Sequence, residues 1–203
     1  MAVMPMFPLG TVLLPGVVLP LHVFEPRYQQ LVQDCLDSAH HEFGVVLIDR
    51  GSEVGGGDTR ADVGVIATML QVAALDAGRF AVVAVGTRRV RVISWLPDDP
   101  YPHADIEDWL DGEAGVSLER VELTAAHAKQ CAGLAVEMGD RSSVPEGELT
   151  GDASADSFLL AAISPLGPVD QYTLLCAPDP LARLDLLDRL LDDVEAGLRF
   201  RLG

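Results

Sequence analysis

The chain has 203 residues, of which 31 are Asp or Glu and 14 are Lys or Arg, giving a formal net charge of −17 at pH 7. A chain of this length buries roughly 70% of its unfolded surface, and 49% hydrophobic residues exclude a disordered polymer. The acidity opposes polyanionic partners and makes nucleic acid and anionic membrane poor defaults; Arg is the main basic residue, and the only Lys is Lys129.

Cys35, Cys131 and Cys176 form no CxxC pair and are odd in number, which argues against a disulfide framework and a zinc ribbon. A reducing, cytoplasmic setting is expected. The uncharged opening from Met1 to Phe24 carries Pro5, Pro8, Pro15 and Pro20, each costing about 3 kcal/mol inside a helix. It therefore reads as short strands, not as a signal peptide or membrane span. Thr11 to Leu14 and Val17 to Phe24 have strand character around a Pro15-Gly16 turn.

Glu25-Pro26 opens a helix whose Tyr28, Leu31, Val32, Cys35 and Leu36 share one apolar face, packed onto a β structure. Strand character returns in Phe43 to Ile48 and, after a Gly-rich stretch from Gly51 to Asp62, in Val63 to Ala73. Asp76-Ala77-Gly78 turns the chain into Phe80 to Val85. Val90, Val92 and Trp95 mark a further strand, and Ala104, Ile106 and Trp109 a last alternating piece. Six or so short strands at near-regular spacing predict a closed or nearly closed barrel.

The period changes at Leu118. Val121, Ala125, Ala128, Ala132 and Ala135 continue an amphipathic helix, and Gly139 to Ala155 reads as a loop with disorder. A helical hairpin over 156–163 and 169–176 follows. Asp179 as cap and Pro180 start a final helix with Leu184, Leu187, Leu191, Val194 and Leu198 in one stripe. The fold class is thus α+β: a barrel subdomain over 1–110 with a capping helix, then a C-terminal helical bundle over 111–203.

Phe7 to Val32 (FPLGTVLLPGVVLPLHVFEPRYQQLV), Asp62 to Val72 (DVGVIATMLQV) and Val85 to Trp95 (VGTRRVRVISW) resemble, in order and spacing, the substrate-recognition domain at the N-terminus of Lon ATP-dependent proteases. Val169 to Leu184 (VDQYTLLCAPDPLARL) is similar to that domain's penultimate and last helices. The likeness covers nearly the whole chain, and the FEPRY element, Phe24 to Tyr28, is its most specific part. It implies a PUA-like pseudo-barrel followed by a helical bundle, here as a free-standing member without the family's ATPase and peptidase domains. It also implies recognition of unfolded or partly folded polypeptide, or docking to a protein partner, with an ATPase or protease acting in trans.

Within these residues, Lys129 lies in a helix pattern, so it completes neither a GxxxxGK[ST] phosphate loop nor the Ser-Lys dyad of the family's peptidases. GxSxG is absent. Gly55-Gly56-Gly57 joins strand to strand and opens no helix, which removes helix-terminus capture of phosphate. His40-His41 with Cys35 and Asp37 reads as a solvated helix end, because adjacent histidines point apart. Asp98, Asp99, Asp105, Glu107 and Asp108 read as a solvated acidic face. No catalytic residue, cofactor or metal is expected.

Arg88-Arg89-Val90-Arg91 is the only basic cluster, and alternation puts Arg89 and Arg91 on the outer face as an arginine ladder. RNA binding through it is one alternative reading, pairing with the acidic strand after Pro102 the simpler one; a hydrolase of unrecognised type is a further alternative. Candidate partner-binding residues are Arg27, Tyr28, Arg89, Arg91, Trp95 and Tyr101. Phe7, Leu13, Leu14 and Trp109 are further candidates for an apolar patch, and the helical stripes of the last third suit a homodimer.

Overall fold

A computed structural model describes residues 2–51, 57–139 and 147–202. The chain divides into two compact units, Met1–Leu110 and Asp111–Gly203. The first holds β1 (Ala2–Leu9), β2 (Val18–Val23), α1 (Pro26–Asp37), β3 (Glu42–Arg50), β4 (Thr59–Ala74), β5 (Phe80–Trp95) and β6 (His103–Asp108).

The strand order is β2-β5-β4-β3-β1-β6, and β6 also pairs with β5, so five strands close a ring and β2 lies outside it. Closure is possible because β5 changes partners along one edge. Val18 to Val23 pair with Val85 to Phe80, and Val90 to Trp95 then pair with Asp108 to Ala104. The ring encloses Met6, Val46, Ile66, Val90, Ala104 and Ile106, drawn from each of its five strands. Inward-facing side chains from every ring strand thus fill a small barrel.

Two strand readings are corrected. Thr11 to Leu14 is irregular, with Leu13 and Leu14 buried as plugs, and the strand lies earlier at Ala2–Leu9. Pro5 and Pro8 are tolerated there because β1 pairs with β6 over Ala2 to Pro5 and with β3 over Met6 to Leu9, leaving each half one recorded partner strand. The segments read as separate strands from Phe80 and from Val90 are one strand. Its register against β4 slips between Ile66 and Ala67, where Thr87 is the extra residue, so the strand bends without ending. At Gly86 a Cβ would stand 2.5 Å from the Leu14 carbonyl oxygen, and glycine permits that contact.

Helix α1 forms as its periodicity predicts, with Pro26 in the first turn and Tyr28, Leu31, Val32 and Cys35 buried. Tyr28 stacks on Phe7 with ring centroids 4.2 Å apart, fastening the helix to β1. Of the Gly-rich stretch, residues 52–56 lie outside the described residues, as do 140–146 of the loop expected at 139–155.

The second unit holds α2 (Leu118–Glu137), α3 (Ala153–Ile163), α4 (Pro168–Leu175) and α5 (Pro180–Leu202). Helix α3 begins three residues earlier than its apolar pattern suggests, because Asp152 accepts a hydrogen bond from the Ala155 amide and caps it. Asp179 caps α5 by accepting from the Ala182 amide at 2.8 Å. Helices α2 and α5 run in the same direction: Arg120 bonds Asp185, Thr124 bonds Asp188, and Cys131 bonds the Leu191 carbonyl. Leu184, Leu187 and Leu191 are fully buried on the expected stripe.

At the centre of this unit the Arg183 side chain is fully buried. Its guanidinium donates to both Asp111 carboxylate oxygens at 2.6 and 3.1 Å, to Ser157 Oγ at 2.7 Å and to the Leu174 carbonyl at 3.3 Å. It also lies 3.5 Å from the Phe158 ring centre. A buried charge persists only with such complete satisfaction.

Candidate functional site

Four of the six candidate residues gather in one neighbourhood of the barrel. Arg27 lies 4.4 Å over the Tyr28 ring and donates to Glu25 at 3.2 Å. Tyr28 is buried between Arg27 and Phe7, and that burial, only partly offset by Arg27, pushes its hydroxyl up to about 12. Arg60 lies 4.9 Å over Trp95, bonds Asp58 at 2.8 Å, and grips Asp98 with two bonds of 3.0 and 2.6 Å. Those bonds hold the Asp98 carboxyl below the usual carboxylate range.

Tyr101 is buried too. It donates to Asp34 at 2.6 Å and stacks on His103 at 4.5 Å, and burial followed by the Asp34 carboxylate raises its hydroxyl above the usual phenol range. This neighbourhood ties α1, the start of β4 and the β5–β6 turn together. Tyr28 and Tyr101 are buried, Trp95 is partly exposed, and the guanidiniums of Arg27 and Arg60 face carboxylates, so these contacts hold the neighbourhood together.

The arginine strand departs from an exposed ladder. Arg88 donates to both Glu42 oxygens at 2.8 and 2.9 Å and to Asp108 at 3.1 Å, which pulls the Glu42 carboxyl down. Arg89 is on the outer face as alternation requires, yet only 4% exposed. Trp109 folds back over it: the indole lies 4.0 Å from the Arg89 guanidinium and 3.7 Å from that of Arg91. Two backbone-directed bonds fix this cover, Trp109 N–H to the Arg89 carbonyl and Arg89 Nε to the Trp109 carbonyl, at 2.9 and 3.2 Å. Arg91 remains exposed, so alternation placed both arginines correctly but could not foresee the indole.

The apolar candidates Phe7, Leu13, Leu14 and Tyr101 are core residues. Cys35, beside the His40-His41 pair, is likewise turned inward; it donates to the Glu42 carbonyl, and burial lifts its thiol to about 12.

Part of the exposed apolar surface lies on β2 and β4 with half-buried β5 between them, while the most exposed large apolar side chains, Phe200, Leu110 and Val169, lie elsewhere. Val18, Val85 and Thr68 stand abreast, followed by Pro20, Val83 and Gln71, then His22, Ala81 and Ala73. On β5 they alternate with Phe80, Val82 and Ala84, which turn into the core. Val18 is 56% exposed, Leu70 57% and Phe24, just past β2, 52%. No Asp, Glu, Lys or Arg occurs in Val18–Phe24, Val63–Leu75 or Phe80–Thr87, a neutral three-stranded face in a chain of net charge −17. The legible signal was this absence of charge from three separate strands; what brings them abreast is pairing.

A small closed barrel with a neutral flank is followed in sequence by a helical unit. The chain belongs to the ATP-dependent protease La (LON) substrate-binding domain family, which matches residues 3–193. It is similar to Lon protease 2 of Herpetosiphon aurantiacus, 31% identical over 177 residues, which are 85% of this chain and 21% of that protein. The chain therefore spans about a fifth of that relative's length.

Among solved structures, the crystal structure of a Lon N-terminal domain protein from Xanthomonas campestris aligns with a TM-score of 0.70 at 27% identity, covering 92% of this chain and 97% of that one. The N-terminal domain of Mycobacterium avium complex Lon protease shares the fold, with a TM-score of 0.62 at 23% identity over 95% of this chain and 99% of that one. The mixed α+β fold expected from the sequence is the fold of these domains.

Proposed function

We propose that this chain is a non-catalytic recognition module that holds unfolded or partly folded polypeptide on the neutral face of β2, β5 and β4. The observation that carries this reading is a contiguous, uncharged and partly apolar sheet face on a strongly acidic protein. Such a face carries no charged side chain of its own and gains from any apolar side chain it covers. Membership of a substrate-binding family supports the same reading. Engagement with an ATPase or protease is part of the proposal, since a held client needs such a partner to act on it.

The test is fluorescence anisotropy of the purified chain with a reduced, carbamidomethylated client and with the same client in native form. Binding of the unfolded form alone is expected. Covering a leucine side chain is worth about 1.5–3 kcal/mol, so Leu70→Asp should weaken binding by about tenfold or more. Ile93→Asp, exposed on the second half of β5, serves as the control. Equal binding of both client forms, or unchanged affinity in Leu70→Asp, refutes the assignment.

A further inference from the structure

Among the described residues, every ring strand has at least two strand partners, whereas β2 has β5 alone. Which backbone groups line its open edge follows from two bonds at its start: the Gly86 amide donates to the Val17 carbonyl at 3.0 Å, and the Gly16 amide to the Gly86 carbonyl at 2.8 Å. Bonding direction alternates along a strand, so Leu19, Leu21 and Val23 turn their amides and carbonyls to β5, and Val18, Pro20 and His22 turn theirs away. Pro20 has no N–H, and it occupies one of the positions where β5 requires none. The open edge therefore offers the N–H groups of Val18 and His22 and the carbonyls of Val18, Pro20 and His22.

We propose that this edge takes up an extended, uncharged or basic segment of another polypeptide as an added strand beside β2. The inference rests on the polypeptide-binding reading above and supplies its binding mode, backbone pairing with side-chain contacts of period two. Two observations select the occupant. No charged side chain lies on β2 or on the rows beside it, while the chain as a whole carries −17, so an acidic segment is repelled and a neutral or basic one is not. A second copy of β2 is disfavoured by Pro20: a two-fold pair forfeits a bond from each copy, and a foreign strand forfeits one in total. Proline here blunts self-association while leaving the edge usable. An added strand would alternate its side chains between the exposed set of Val18, Pro20 and His22 and the half-buried pair Leu19 and Leu21.

The probe is a fluorescein-labelled peptide of alternating valine and threonine with lysine at both ends, titrated into the full chain. Two further versions are Nα-methylated, one at every valine and the other at every threonine. A strand turns only alternate amides to its neighbour, so one version should bind at least about tenfold more weakly and the other within about twofold of the parent. This comparison leaves the protein unaltered. Pro20→Val, which restores the missing donor, should tighten parent binding and raise the sedimentation coefficient through edge-to-edge dimers.

Equal affinity of the two methylated versions overturns strand addition. So does a parent peptide that fails to bind while the unfolded client still does; recognition on the neutral face then stands without this mode. Failure of both peptide and client overturns the recognition reading as well.

Discussion

Replacing Arg183 by Met removes a guanidinium while roughly preserving volume, and the structure sets the size of the loss. Arg183 is fully buried and its partner Asp111 has 12% of its side chain exposed, so the variant leaves the Asp111 carboxylate, beside the Ser154 hydroxyl that donates to it, without the guanidinium counter-charge. Removing one member of such a pair costs about 3–5 kcal/mol. For a chain of this length that lowers the unfolding midpoint by roughly 10 °C. Adding Asp111→Leu to Arg183→Met takes away the stranded charge, and the double variant should be more stable than Arg183→Met. Urea unfolding followed by helical circular dichroism measures both. A loss below about 1 kcal/mol in the single variant, or a double variant whose losses simply add, would refute the claim that charge satisfaction here holds the helical unit together.

The remaining predictions concern ionisation. Glu42 has a lowered native pKa because Arg88 donates to it, so its stabilising contribution is full above the ordinary glutamate pKa of about 4.3. That contribution is lost as pH falls through the lowered value. Because Arg88 is more than a third exposed, the effect is modest, and Glu42→Gln should flatten the acid limb of the stability curve without moving the neutral plateau. Thiol labelling of the native chain at pH 8 should modify Cys176, which is partly exposed, well before Cys35 or Cys131, which are buried. Burial raises the thiols of Cys35 and Cys131, further slowing thiolate attack. Rapid labelling of Cys35 would show that α1 detaches from the barrel.

Local order was readable wherever one residue's fate depends on near neighbours. The stripe from Tyr28 to Cys35 and the triplet Leu184, Leu187 and Leu191 were assigned by spacing alone, because a helix repeats over a few residues and buries one face. Pro26 and Pro180 marked helix starts for an equally local reason, the missing N–H. Alternation likewise put Arg89 and Arg91 on one face and Val90 on the other. Alternation marks Phe80 to Val85 and Val90 to Trp95 as separate strands; opposite β4 the residue between them, Thr87, is a bulge, and only the partner strand reveals the continuity.

The amino-acid order by itself determined the class of fold, the helix faces and the charge-free character of three strands, since these depend on spacing and composition. Exposure was decided by the tertiary structure. Trp109 covers Arg89 from 20 positions away in the chain, and Tyr101 is taken into the core by Asp34 from 67 away, so neither fate is written near the residue that suffers it. The same holds for the neutral face and its open edge. Val18, Val83 and Leu70 become a surface because long-range pairing closes five strands and leaves the sixth outside, and burial is a property of what the rest of the chain places on top.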